Sequence, residues 1–224
     1  DFRSEDVMKG GQGAPLVPIG DRHLFADYPI CLNIGGIANV SYEYEGKRIA
    51  YDICIANQML NYLANKLGYD YDNNGSFARQ GKVNLDLLKT FNDNSYYDKE
   101  APKSLGREFF EKYQHQIIEE SSLDVRDILA TATEHIASQI VKSTDMLEKS
   151  KMLITGGGAK NNYLVERISE LSKHEVVIPE TMIIDYKEAL IFAFLGTLKM
   201  EGKINVLSSV TGATSDSSSG TIHN

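Results

Sequence analysis

Lys151-Met152-Leu153-Ile154-Thr155-Gly156-Gly157-Gly158-Ala159-Lys160-Asn161-Asn162-Tyr163-Leu164-Val165 is the stretch whose reading decides the fold. A short apolar run, 151–155, breaks into three glycines and reopens as a helix-like segment over 161–172. Glycine has no Cβ and tolerates positive φ, so a ligand can lie directly on the main chain at such a turn. A tight strand-to-helix turn with no ligand uses the same residues. A second glycine pair sits in Cys31-Leu32-Asn33-Ile34-Gly35-Gly36-Ile37-Ala38-Asn39-Val40, where one apolar strand runs into Gly-Gly and another leaves it. That is a hairpin pattern. Asn33 and Asn39 flank it. They can hold the loop through side-chain bonds to backbone, or frame N–H groups that face a phosphate.

Working outward, strands are predicted near 30–34, 39–44 and 48–52, with a turn at Glu45-Gly46-Lys47. A helix follows at 57–67, with Met59, Leu60, Leu63 and Leu67 on one face. Residues 68–102 are polar and aromatic, with one short helix near 84–91, and read as an insertion on the core. Helices are expected at 106–118 and at 124–147, the second capped by Asp124 and periodic through Ile128, Leu129, Ala132, Ile136 and Ile140. Strand 151–155, helix 161–172, strand 175–178 and helix 185–200 complete the pattern. Residues 1–29 read as loop-rich, and the Ser/Thr/Gly run from Ser208 as having little regular structure. Without the insertion the order is β-β-β-α-α-β-α-β-α. Three hairpin-linked strands come first, and two further strands alternate with helices and should be parallel with right-handed crossovers. The fold class is therefore α/β, a mixed five-stranded sheet flanked by helices.

Composition narrows the function classes. Of the 224 residues 42% are hydrophobic, enough for a real core, and the net charge of −8 with no basic stripe argues against a nucleic-acid partner. Cys31 and Cys54 are the two cysteines; they have no metal-ligand spacing and point to a reducing compartment. No apolar run reaches membrane-spanning length and no signal peptide is visible. The sequence opens on Asp1 without an initiator Met, so a fragment or a trimmed protein is expected.

The mixed sheet, with a glycine hairpin first and a Gly-Gly-Gly turn later, resembles one ribonuclease-H-like lobe of the actin, hexokinase and heat-shock-protein ATPases. The resemblance sharpens along the chain. Asp1-Phe2-Arg3, Gly10-Gly11-Gln12-Gly13-Ala14-Pro15-Leu16-Val17-Pro18, Leu32-Asn33-Ile34-Gly35-Gly36-Ile37-Ala38-Asn39, Pro102-Lys103-Ser104-Leu105-Gly106-Arg107-Glu108, the glycine turn with Asn161, Glu188-Ala189 and Ser209-Val210-Thr211-Gly212-Ala213 together resemble the anhydro-N-acetylmuramic acid kinases. The resemblance implies a cytoplasmic bacterial enzyme of peptidoglycan recycling. Such enzymes open the 1,6-anhydro ring with water and phosphorylate O6 of the amino sugar, using ATP and magnesium. It also implies a division into an inter-lobe segment, 1–29, a back lobe, 30–205, with a helical insertion at about 68–123, and a tail, 206–224. The front lobe, with its Gly-Thr-Ser-x-Asp-Gly loop, is not in this chain. It is the expected partner, and a homodimer is a further possibility. The fragment alone is expected to be inactive.

By the same resemblance Asp52 matches the general base. Asn33, Gly35, Gly36, Asn39, Gly156, Gly157, Gly158 and Asn161 would meet ATP, and Gln12, Asn57, Lys103, Arg107 and Glu188 the sugar. From the residues alone, Asp52 could instead cap the following helix, Lys103 and Arg107 could mark a solvated helix start, and Glu188 could be a dipole-compatible residue at a helix start. His135 reads as structural. With no metal-site spacing, magnesium should ride on the nucleotide phosphates. One departure stands out: the family reads Asp-x-Gly-Pro-Gly-Asn where this chain has Asp52-Ile53-Cys54-Ile55-Ala56-Asn57. That departure leaves open a non-catalytic binding domain of the same fold, and a related kinase with another substrate is the other alternative.

Overall fold

A computed structural model describes residues 1–222; the last two residues of the expected tail lie outside the described residues. Two helices, Ser4–Met8 (α1) and Val17–Leu24 (α2), precede the sheet. This corrects the loop-rich reading of 1–29. Pro18 lies in the first turn of α2, where its missing N–H costs no helical bond. Ile30–Ile34 (β1), Ile37–Tyr44 (β2) and Lys47–Ile55 (β3) form the antiparallel meander. Asn57–Lys66 (α3) follows, and the insertion carries Ser76–Gln80 (α4), Leu85–Asn92 (α5) and a 3-10 turn at Ser95–Asp98.

The helix expected at 106–118 is continuous but mixed: Arg107–Phe109 (α6), a π segment at Phe110–Gln114, then His115–Glu120 (α7). Val125–Thr144 (α8) is N-capped by Asp124, whose carboxylate accepts from the Arg126 N–H at 2.8 Å. Lys151–Thr155 (β4), Asn162–Leu171 (α9), Glu175–Val177 (β5) and Thr181–Met200 (α10) follow, and Ser208–Thr211 (α11) is a short helix where little regular structure was expected.

The sheet order is β3-β2-β1-β4-β5, with β1, β4 and β5 mutually parallel. Period-2 alternation sorts its two faces. Leu32, Ile34, Val40 and Ile154 pack with Met59, Leu63, Leu129, Ile136 and Ile140 of α3 and α8. Cys31, Ala50 and Leu153 face the other way, toward Ile19 of α2, Ile191 and Leu195 of α10, and Val210 of α11. The tail is thus anchored. The Thr211 hydroxyl donates to the buried Asp6 carboxylate at 2.7 Å, and the Gln12 N–H donates to the Thr211 carbonyl at 3.0 Å.

Several boundaries differ from expectation by one to four residues, and two of them bear on the site. β3 runs to Ile55 instead of ending at Asp52. Its pairing with β2 shifts between Ala38 and Asn39: Ala38 faces Cys54, Asn39 faces Asp52, and Ile53 is the extra residue of a bulge. α10 starts at Thr181, ahead of the predicted 185, so Glu188 lies beyond the first turn and its helix-dipole reading falls away.

Candidate active site

Register places the polar residues. Asp52 pairs with Asn39, Asn39 with Asn33, and Asn33 with Thr155, so four strands contribute one polar row on the α2/α10 face. Beside it a second row, Ala50, Ser41, Cys31 and Leu153, descends into the core. Over these rows opens a cleft of about 570 Å3. Gln12, Asn33, Asn39, Asp52, Lys103, Gly156 and Glu188 all line it, so it gathers residues predicted from widely separated parts of the chain.

Asp52 sits on the edge strand, and residues 102–105 of the insertion close against it. Its N–H donates to the Lys103 carbonyl at 3.3 Å, and one of its carboxylate oxygens accepts from the Leu105 N–H at 2.9 Å. Burial raises its pKa above the ordinary carboxylate range, and the Leu105 hydrogen bond opposes that shift. Asp52 does not cap α3. The residue before that helix is Ala56, which has no capping side chain; the N–H groups of Ala56, Asn57 and Gln58 instead donate to the carbonyls of Gly36, Gly35 and Gly36, at 2.8, 3.1 and 3.2 Å. The Asp52-to-Asn57 departure is therefore a strand that continues into the hairpin and is tied to it. Burial also lowers the Lys103 pKa, and its ammonium lies 5.3 Å from the Tyr51 ring centroid and 4.9 Å from that of Tyr96.

The two glycine turns sit side by side because β1 and β4 are parallel neighbours. Their glycines differ in kind. Gly156 has φ +81°, and a Cβ there would meet the Asn33 side-chain oxygen at 2.7 Å and the Ile34 carbonyl oxygen at 2.8 Å. Gly158 abuts the Ile34 side chain. Close packing of the turn against β1 accounts for both. Gly35, Gly36 and Gly157 would meet protein atoms no nearer than 3.5, 3.9 and 3.5 Å, and none of the three has a positive φ. Neither turn geometry nor packing requires glycine at these three positions. The hairpin turn therefore departs from the positive-φ type that a glycine pair suggests.

Gly35, Gly36, Gly157 and Gly158 fall outside the cleft lining, and so do three other predicted residues. Asn57 bridges the two turns, its amide donating to the Ile34 carbonyl at 3.1 Å. Asn161 caps α9, accepting from the Leu164 N–H at 3.1 Å. Arg107 is exposed and pairs with Glu111 at 3.3 Å. His135 is buried, between Asn92 at 2.7 Å and the Tyr97 hydroxyl at 3.2 Å, and burial pushes its pKa down to about 3. Among the described residues no group of three or more His, Cys, Asp or Glu is placed to hold a metal ion, and no helix is long and apolar enough to cross a membrane.

Sequence reading missed the cleft's charged floor. Lys187 of α10 and Asp21 of α2, both buried, meet at 2.7 Å, and both line the cleft. Asp21 also accepts from the Ser41 hydroxyl at 2.5 Å and lies 3.8 Å from the buried Arg48 guanidinium. Lys187 sits between Tyr186 and Glu188 in a helix that turns apolar from Ala189 onward, and nothing in that local pattern marks it as buried. The alternation that places Ser41 beside Asn39 and Asn33 was the available signal.

The family model for anhydro-N-acetylmuramic acid kinase matches residues 1–224. The kinase of that name from Vibrio cholerae serotype O1 is 36% identical over 235 residues, covering 100% of this chain and 64% of the relative. That from Sulfurimonas denitrificans is 34% identical, covering 100% and 65%, and that from Gloeobacter violaceus 38%, covering 95% and 60%. The chain thus spans somewhat less than two thirds of the length of the curated relatives it matches. Among solved structures, the activator of the 2-hydroxyisocaproyl-CoA dehydratase from Clostridium difficile with bound ADPNP aligns at TM-score 0.49 and 16% identity, over 79% of this chain and 63% of that one. Matched along its whole length, the chain belongs to the anhydro-N-acetylmuramic acid kinase family.

Proposed function

We propose that the protein containing this chain is an ATP-dependent kinase acting on anhydro-N-acetylmuramic acid in a reducing, cytoplasmic setting, and that this chain supplies its back lobe. In this reading residues 30–205 are the lobe, about 68–123 its insertion, 1–29 the inter-lobe segment and 206–224 the tail. The observation that carries the proposal is the register row of Asp52, Asn39 and Asn33 along one cleft, continued into the core by Thr155. Open sheets bind ligands in the crevice beyond their strand ends, and both glycine turns lie at one such end.

The chemistry follows from the row. Asp52, whose raised pKa suits a base, takes a proton from water attacking C1 of the sugar. The C1–O6 bond breaks and its electron pair stays on O6. O6 then attacks the γ-phosphorus of ATP, and the bond to ADP breaks. Gln12, Lys103 and Glu188 border the same cleft and are placed to orient the sugar. Gly35, Gly36 and Gly157, which are not in the cleft lining, leave backbone open at the turns that follow β1 and β4, which suits the nucleotide. Magnesium, when bound, would neutralise phosphate charge on the nucleotide. Phosphoryl transfer in two-lobed kinases needs closure over ATP to exclude water, so residues 1–224 alone should show no turnover.

The test is Asp52→Asn in the full-length protein, assayed with ATP and anhydro-N-acetylmuramic acid. Loss of the base should lower kcat about 10²–10⁴-fold with little change in substrate affinity. Near-normal turnover would remove Asp52 from the chemistry and favour a binding domain or a kinase with another mechanism.

A further inference from the structure

We propose that Tyr96, in the insertion, is a positioning residue that holds Asp52 in place through its backbone; this rests on the reading of Asp52 as the base. The physical problem is one of edges. β3 is an outer strand of the sheet, so the outward N–H and C=O groups at Asp52 have no neighbouring strand. The bulge begins at the next residue, Ile53, which loosens the ladder where a base must be held steady.

The insertion supplies the missing partners. The buried Tyr96 hydroxyl donates to the Asp52 carbonyl at 2.6 Å, and the Asp52 N–H donates to the Lys103 carbonyl at 3.3 Å. The circuit closes on itself. The Lys103 ammonium donates to the Tyr96 carbonyl at 3.3 Å and lies over the Tyr96 ring. The Leu105 N–H then reaches the Asp52 carboxylate at 2.9 Å. Residues 96–105 act as a surrogate strand that pins the backbone of Asp52 on both sides and aims its carboxylate. Tyr96 is the one side chain in this circuit bonded to the main chain of Asp52. Its ring is itself wedged, 5.5 Å from that of Phe109 and 5.9 Å from that of Tyr97, so the hydroxyl has little freedom to swing away.

Tyr96→Phe in the full-length enzyme removes the hydroxyl and keeps the ring. A misplaced base slows the reaction without weakening nucleotide binding, so kcat should fall about 10- to 100-fold while KM for ATP stays within about twofold. The Asp52→Asn/Tyr96→Phe double variant should be no slower than Asp52→Asn alone, because a positioning residue has nothing left to position. A merely structural Tyr96 would instead lower the folded fraction and leave the turnover of folded molecules unchanged. Tyr96→Phe with wild-type kcat, or a double variant showing the full product of the two losses, overturns the proposal. Tyr96→Leu also removes the seat of Lys103 and should raise KM for the sugar; unchanged KM counts against the circuit. If Asp52→Asn itself keeps normal turnover, the base assignment falls and the positioning role with it. An inactive Asp52→Asn beside an unimpaired Tyr96→Phe overturns the positioning role alone.

Discussion

The Lys187 ammonium lies 2.7 Å from the Asp21 carboxylate, joining the two helices that cover the cleft face of the sheet. The lysine also reaches the Thr155 hydroxyl at 3.4 Å and sits over the Phe25 ring, so helix, helix and strand meet at one buried charge pair. A desolvated ion pair is weak evidence for stability, but breaking one side leaves an uncompensated charge.

Asp21 serves two buried cations, Lys187 and Arg48, whereas Lys187 shares its carboxylate with another partner. Removing Asp21 should therefore cost more than removing Lys187. Asp21→Asn is expected to destabilise the protein by about 3–5 kcal/mol, and Lys187→Met by less, since Arg48 and Ser41 still contact Asp21. Urea unfolding of the two variants measures the difference. Equal losses would mean that Arg48 contributes no compensation.

The glycine turns give a second prediction, in which folding and binding separate. Gly156→Ala forces a side chain into φ +81° and against the end of β1. Backbone strain alone should cost roughly 1–3 kcal/mol there, with the clash added. Gly36→Ala meets only the Gln58 side chain, at an ordinary contact distance of 3.9 Å, and its φ is not in the left-handed region, so the melting temperature should barely change. If nucleotide lies on the hairpin, Gly36→Ala should nonetheless weaken ATP binding in the full-length protein. Calorimetric titration giving wild-type affinity would return Gly36 to a plain turn residue.

Asp52 makes pH a probe of both rate and stability. Its folded pKa is raised by burial, so the folded state binds the proton more tightly than the unfolded chain. Stability associated with this group is greatest below the ordinary carboxylate pKa, and it is lost as pH rises from there through the folded pKa. Asp52→Asn, which keeps an acceptor for the Leu105 N–H, should melt at the same temperature as the parent at low pH and slightly higher near neutrality. The rate of the parent should rise with pH through the same elevated pKa, because the base works only when ionised. A kcat profile flat down to the normal carboxylate range would contradict that assignment.

The local sequence determined a good deal. The apolar run at 30–34, the alternation in 40–44, the glycine breaks and the Asp124 cap are nearest-neighbour signals, and these elements stand where the signals put them, whereas Asn161, assigned to the nucleotide, caps α9. Family motifs along the chain marked Asp52, Lys103, Glu188 and the asparagine pair, and these residues line one cleft. Tertiary structure decided the rest. The bulge at Ile53 arises from pairing with β2, and nothing within Asp52-Ile53-Cys54-Ile55-Ala56-Asn57 announces it. The partners of Asp52 come from 96–105, more than forty residues onward, where an unpaired edge must be satisfied. Asp21, Arg48 and Lys187 look like surface charges in sequence, because a pattern of residues does not show which helices will close over which row of a sheet. Periodicity reports the face of an element, whereas only packing reports what that face meets.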